Sequence, residues 1–181
     1  LLEKGKVDLS LSHFNKSAEL DTKNSDYIIG MSSALIEKKE FDEALKILLP
    51  FSKQEPENAD LLFSVCNTYT KKRFFTSAIS YCEKSLKYKP GNYEYMNRLA
   101  WLYAKKQIKL AKALNMSSET VKGFPQSAGY IDTLSEVYYA LGKTDEAIAK
   151  IKEALKLTPN DPYYKQQLWK YRNIKLKKPA A

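Results

Sequence analysis

A chain of 181 residues, 44% hydrophobic and 28% charged with six glycines and seven prolines, has the makeup of one globular domain or a short array of helical repeats. No apolar run approaches the roughly 20 residues of a membrane-spanning helix, two cysteines are too few for a disulfide scaffold, and a single histidine gives triad chemistry one base to draw on. The net charge of +9 admits nucleic acid or an anionic surface as a partner, but the basic residues are scattered. Their densest group is Lys165, Lys170, Arg172, Lys175, Lys177 and Lys178, which reads as a solvated tail.

Pro56, Pro90, Pro125 and Pro159 recur at intervals of 34, 35 and 34 residues, each closing a similar phrase: KQEPEN, KYKPGN, KGFPQS, KLTPND. In chain order, residues 1–24 read as the second helix of a hairpin whose first helix would precede Leu1. Gly5 falls at its turn, and Ser10, Phe14 and Ser17 on its inner face; His13 faces outward as an ordinary surface histidine. The chain is therefore expected to be part of a longer protein. Residues 25–58 form the first full unit, with Ala44 at the helix contact. Its second helix holds Pro50, which removes one backbone bond and predicts a kink or an early stop. Residues 59–92 repeat the pattern with Ala78. Residues 93–127 repeat it again with Leu99, Tyr103 and Ala113, one extra residue falling within the loop Lys106 to Lys109. In residues 128–161, Leu134 and Tyr138 share a face, Gly142 permits the turn, and Ala147, Ile151 and Ala154 line the second helix. The small residue at each hairpin contact lets two helices close to about 8 Å. Residues 162–173 predict a capping helix with Tyr164, Leu168 and Tyr171 on one stripe. Residues 174–181 predict a basic disordered tail.

A 34-residue period closed by proline resembles the tetratricopeptide repeat, and YIDTLSEVYYALGKTDEAIAKIKEALKLTPND is close to that family's consensus. LAWLYA and this last copy look most like bacterial members. The resemblance implies an all-α, right-handed α-solenoid of one partial and four full hairpins with a C-terminal capping helix. It also implies a non-catalytic scaffold or adaptor that grips a peptide or helix of another protein in a concave groove, with no cofactor and no metal. By the family pattern the groove-facing residues are Ile29, Ser33, Ile36, Phe63, Asn67, Thr70, Asn97, Arg98, Trp101, Lys105, Asp132, Glu136 and Tyr139. The bland alternative is that Phe63, Trp101 and Tyr139 pack against adjacent first helices. The clamp with which chaperone-binding members hold a C-terminal carboxylate is absent, because Phe63 and Glu94 stand where lysines are needed.

Cys66 and Cys82 occupy columns that hold small or medium apolar residues in this family, so buried free thiols are the expected state. A disulfide joining them across the hairpin requires an oxidising compartment, and helices about 8–10 Å apart make its geometry borderline. The compartment stays open between cytoplasm and bacterial periplasm. Three rivals accompany the adaptor reading. One is nucleic-acid or anionic-surface binding through the basic charge, which the lack of recurring base-reading sites disfavours. A second is the docking or regulatory region of a larger enzyme or assembly protein. The third is self-association through an exposed N-terminal stripe including Leu11 and Phe14.

Overall fold

The computed structural model describes residues 25–174. The expectations for residues 1–24, including His13 and the stripe with Leu11 and Phe14, and for residues 175–181 lie outside the described residues. Among the described residues the chain is all-α. In order the helices are α1 (Ser25–Glu37), α2 (Phe41–Gln54), α3 (Ala59–Lys71), α4 (Phe75–Tyr88), α5 (Tyr93–Lys106), α6 (Leu110–Gly123), α7 (Ala128–Ala140), α8 (Thr144–Leu157) and α9 (Pro162–Asn173).

The periodic phrase both ends one hairpin and begins the next. Two residues after each proline stands a cap: Asn58 accepts from the Leu61 N–H at 3.0 Å, Asn92 from Tyr95 at 3.1 Å, Ser127 from Tyr130 at 3.4 Å, and Asp161 from Tyr163 at 2.8 Å. Such a cap stabilises a helix by about 1 kcal/mol, while the proline stops the helix before it. The second helices α2, α4, α6 and α8 have no side-chain cap. A backbone turn starts them instead. Gly142 (φ 76) donates to the Tyr139 carbonyl and Lys143 to that of Tyr138, both at 2.9 Å. Lys39 (φ 65) and Arg73 (φ 64) make the same turn with a Cβ in place, at a steric cost of roughly 1–2 kcal/mol each. The third hairpin keeps the paired bonds from Gln107 (φ 54) and Ile108, then adds Lys109 (φ 46) before α6 opens. The extra residue is thus Lys109, accommodated by a second left-handed backbone.

Pro50 does not end its helix. α2 runs on to Gln54, contrary to an early stop. Pro50 and Lys46, whose carbonyl loses its intrahelical donor, both lie on the exposed face, where that carbonyl can turn to water.

The cysteines also depart from the free-thiol expectation. Cys66 on α3 and Cys82 on α4 are joined as a disulfide, with Cα atoms 5.3 Å apart and no solvent exposure. Helix spacing alone makes that geometry borderline. That estimate measured between axes, and each Cα stands about 2.3 Å off its axis, so facing Cα atoms come within about 3–5 Å.

The helices form two compact units, divided between Pro90 and Gly91. In the first, α1 packs on α2 and α3, and α3 on α4; Ala44, Leu48, Leu61, Val65 and Ala78 are fully enclosed there. In the second, the hairpins α5–α6 and α7–α8 pack through α6 against α7, with α5 also beside α7, and α9 lies on α8. Ala113 and Ala147 are fully buried at the two hairpin contacts. Tyr171 of α9 is buried against Tyr139, ring centroids 4.6 Å apart, and Tyr164 and Leu168 pack beside the same core. The outer face of α9 is not uniformly polar, since Trp169 is 59% exposed.

The alanine contacts have no room for a larger side chain. Ala113→Leu should destabilise the chain by about 1–3 kcal/mol in urea unfolding, whereas Lys112→Ala on the exposed face should change stability by less than about 0.5 kcal/mol.

Candidate binding cleft

Asn97, Arg98 and Trp101 of α5, Gly129, Asp132 and Thr133 of α7, and Tyr163 of α9 enclose a cleft of about 270 Å³. Counting from each cap explains the arrangement. The fifth and ninth residues after a cap fall on one face of a first helix. These are Asn97 and Trp101 after Asn92, and Asp132 and Glu136 after Ser127. Gly129, second after its cap, adds no bulk, and a Cβ built there meets nothing within 4 Å.

Beside the cleft lies a buried charge cluster. Glu136 accepts from Lys105 at 2.6 Å, from Lys170 at 2.9 Å and from the Tyr171 hydroxyl at 2.9 Å. Burial alone would raise its pKa, but the two lysines prevail and hold it below its ordinary value. Asp132, one turn away, is helped less. Burial and the neighbouring Glu136 charge push its carboxyl up to about 7, against the opposing pull of the Tyr163 hydrogen bond, Lys105 and Lys170. Tyr163 donates to Asp132 Oδ2 at 3.3 Å and accepts from Gln167 at 2.7 Å; burial and the Asp132 charge raise its own pKa. Burial lowers that of Arg98, partly offset by Glu94. Asn97 Oδ1, Arg98 Nε and Asp132 Oδ1 are buried without hydrogen-bond partners among the described residues. Each such group costs about 1–3 kcal/mol unless something pairs with it.

Of the residues expected to face a groove, Asn97, Arg98, Trp101 and Asp132 come together in this cleft, while Lys105 and Glu136 pair with each other beside it. Tyr139 does not face out. It is 2% exposed, stacked on Tyr171 beneath Lys170, its hydroxyl donating to the Ile174 carbonyl. The reason is register: Tyr139 stands twelve residues after its cap, a column that turns inward, as does Thr70, whose hydroxyl donates to the Cys66 carbonyl at 2.8 Å. In the first unit Ile29 is part of the core margin, Ile36 is half-buried, Ser33 is exposed and bonds its own helix, and Phe63 is buried. Asn67 is half-buried, and its Oδ1 lacks a partner among the described residues. Gly129, Thr133 and Tyr163 were not foreseen. Reading α9 as another first helix in the same register would have placed Tyr163, Gln167 and Lys170 on the lining.

Among the described residues no cluster of His, Cys, Asp and Glu is disposed to hold a metal, and no helix is long and apolar enough to cross a membrane. The tetratricopeptide repeat family matches residues 128–161. Solved structures of similar fold include TTC0263, a thermophilic TPR protein of Thermus thermophilus, at 15% identity and TM-score 0.72, covering 94% of this chain and 92% of that one. The chain has the tetratricopeptide repeat fold, and its residues 128–161 match that family. YrrB, described as a TPR protein with an unusual peptide-binding site, shares the tetratricopeptide fold at 16% identity and TM-score 0.71, with 96% of this chain and 87% of that chain covered. MamA of Desulfovibrio magneticus RS-1 follows at 19% identity and TM-score 0.69, with 81% and 82% covered. No match to a curated protein is found at the sequence level.

Asp132 gives the fold a pH dependence of known sign. Its folded pKa, about 7, lies above the unfolded value of 3.8. Between those values the folded chain keeps a proton that the unfolded chain has released. Stability from this group therefore falls as pH rises through the window, by roughly 1 kcal/mol per pH unit. Asp132→Asn should be more stable than the parent at pH 8, and the difference should shrink as pH approaches 4. Urea unfolding across that range measures it.

Proposed function

We propose that this chain is a non-catalytic adaptor that holds a segment of a partner protein in the cleft between α5, α7 and α9. Tetratricopeptide arrays serve as protein- and peptide-binding modules, and the observation that carries the finer reading is the set of unpaired polar atoms on Asn97, Arg98 and Asp132 around one cleft. Folded proteins seldom leave buried donors and acceptors unmatched, and a bound segment would match them. A cleft of about 270 Å³ has room for one or two side chains, and Trp, Tyr and Arg, all present on its walls, are the types that dominate interface energetics.

Selection of a displayed peptide library against the chain tests this reading. Peptides recovered should lose at least about tenfold in affinity to Gly129→Leu, which fills the cleft from a position that touches no other side chain. Leucine is the better helix former, so the variant should melt no lower than the parent. Peptides that bind both forms equally would place recognition elsewhere.

A second reading concerns place. The Cys66–Cys82 disulfide points to maturation in an oxidising compartment, because cytosolic thiols are kept reduced. Purified from its source with thiols alkylated at lysis and denatured without reductant, the chain should show no alkylated cysteine. Alkylation of both would overturn the assignment.

A further inference from the structure

The cleft's unmet groups also specify what it recognises, an inference that rests on the partner-segment reading above. Two acceptors on its walls, Asp132 Oδ1 and Asn97 Oδ1, have no donor among the described residues. Asp132 is only 7% exposed, and its other oxygen takes one hydrogen bond, from Tyr163, at a long 3.3 Å. Buried carboxylates ordinarily sit against a cation or several donors. The lysines near this one act on its charge but place their bonds elsewhere. Lys105 and Lys170 both end on Glu136, and the charge that acts on Arg98 is that of Glu94. The remaining groups around Asp132 do not neutralise it: Glu136 on its own helix and Asp161 at the head of α9 are acidic, and Tyr163 and Tyr164 of α9 are neutral. At the other side, Arg98 Nε is a donor without an acceptor among the described residues.

We propose that the cleft binds a primary ammonium group of the partner segment, seated on the Asp132 carboxylate and the Asn97 side-chain carbonyl, with a carbonyl oxygen of the same segment accepting from Arg98. An ammonium offers three donors and no acceptor, which matches two unpaired oxygens and leaves one donor for water. Both oxygens are enclosed, and binding requires them to turn toward the cleft about terminal torsions that are soft in Asp and Asn. The group is carried either by a lysine side chain or by a chain's amino terminus. In an amino terminus the carbonyl carbon lies two bonds from the nitrogen, and in lysine six. The two sources thus differ in how far apart they place the ammonium and the acceptor for Arg98. Binding is tied to the charge on Asp132: below about pH 7 the carboxyl takes up a proton and the ammonium loses its counter-ion.

Titration of the 181-residue chain with three small probes, followed by NMR at the Trp101 indole, tests the proposal. Nα-acetyl-lysine amide carries the side-chain ammonium, alanyl-alanine amide the terminal one, and Nα-acetyl-norleucine amide neither. At pH 7 one or both ammonium probes should bind, and which of them does identifies the source; the norleucine probe should not. The lysine probe should bind about tenfold more weakly at pH 6 than at pH 8, following ionisation of a carboxyl with pKa about 7. Asp132→Asn should weaken it at least about tenfold at pH 8 and remove the pH dependence. Equal binding by the norleucine probe, no binding by either ammonium probe, or an unchanged affinity in Asp132→Asn overturns the ammonium site. If library peptides remain sensitive to Gly129→Leu in that case, the partner-segment reading stands without it; if they do not, both fall.

Discussion

Where a first helix starts is decided by one hydrogen bond, from the backbone to a side chain standing two residues past a proline. That bond fixes the rotation of everything after it. Once Ser127 accepts from Tyr130, Asp132 and Glu136 must face one way and Tyr139 the other. The same count from Asn92 turns Asn97 and Trp101 toward the cleft, and Tyr163, second after Asp161 as Gly129 is after Ser127, is set against Asp132. Core packing then holds what the caps have aimed. Alanines at the hairpin contacts allow the helices close enough for Tyr139 and Tyr171 to stack beneath the charge cluster.

Two carboxyls a turn apart on α7 meet opposite fates. Glu136 has two lysines and a tyrosine hydroxyl, drawn from α5 and α9, and stays ionised although almost fully enclosed. Asp132, with one long bond from Tyr163, is pushed toward neutrality. Both lysines could not serve both acids. The fold has assigned them to the deeper structural role of tying α7 to its neighbours, and the unbalanced carboxyl is left at the cleft. A strained electrostatic arrangement of this kind tends to mark sites of binding or chemistry.

Most of the frame was legible in the sequence because it rests on local and repeated signals. The prolines, the caps that follow them, the alanines and the stripe of Tyr164, Leu168 and Tyr171 each act within a few residues of where they are written. Of the two outcomes expected at Pro50, the early stop does not occur. A helix tolerates proline where the orphaned carbonyl reaches solvent, and that depends on which face is buried. Cys66 and Cys82 were under-read, since facing Cα atoms lie nearer than helix axes do. Of the site, Asn97, Arg98, Trp101 and Asp132 were visible by pattern, and Gly129 and Thr133 were not. Tyr139 was assigned to the lining through a slip of register that the cap count corrects. Tyr163 was missed because α9 was regarded only as a cover for the core, although it starts on the same kind of cap as the helices before it.

The register shared by the caps has a further meaning for how such a chain changes over time. In the fifth position after the caps Asn58, Asn92 and Ser127 stand Phe63, Asn97 and Asp132, and in the ninth Asn67, Trp101 and Glu136. The columns that build the frame are nearly monotonous, while these two hold a different chemistry in every copy. Duplicating a hairpin therefore copies its architecture but not an obligation to keep its face. Each unit thus repeats one frame of proline, cap and alanine, while these two columns change their chemistry from copy to copy.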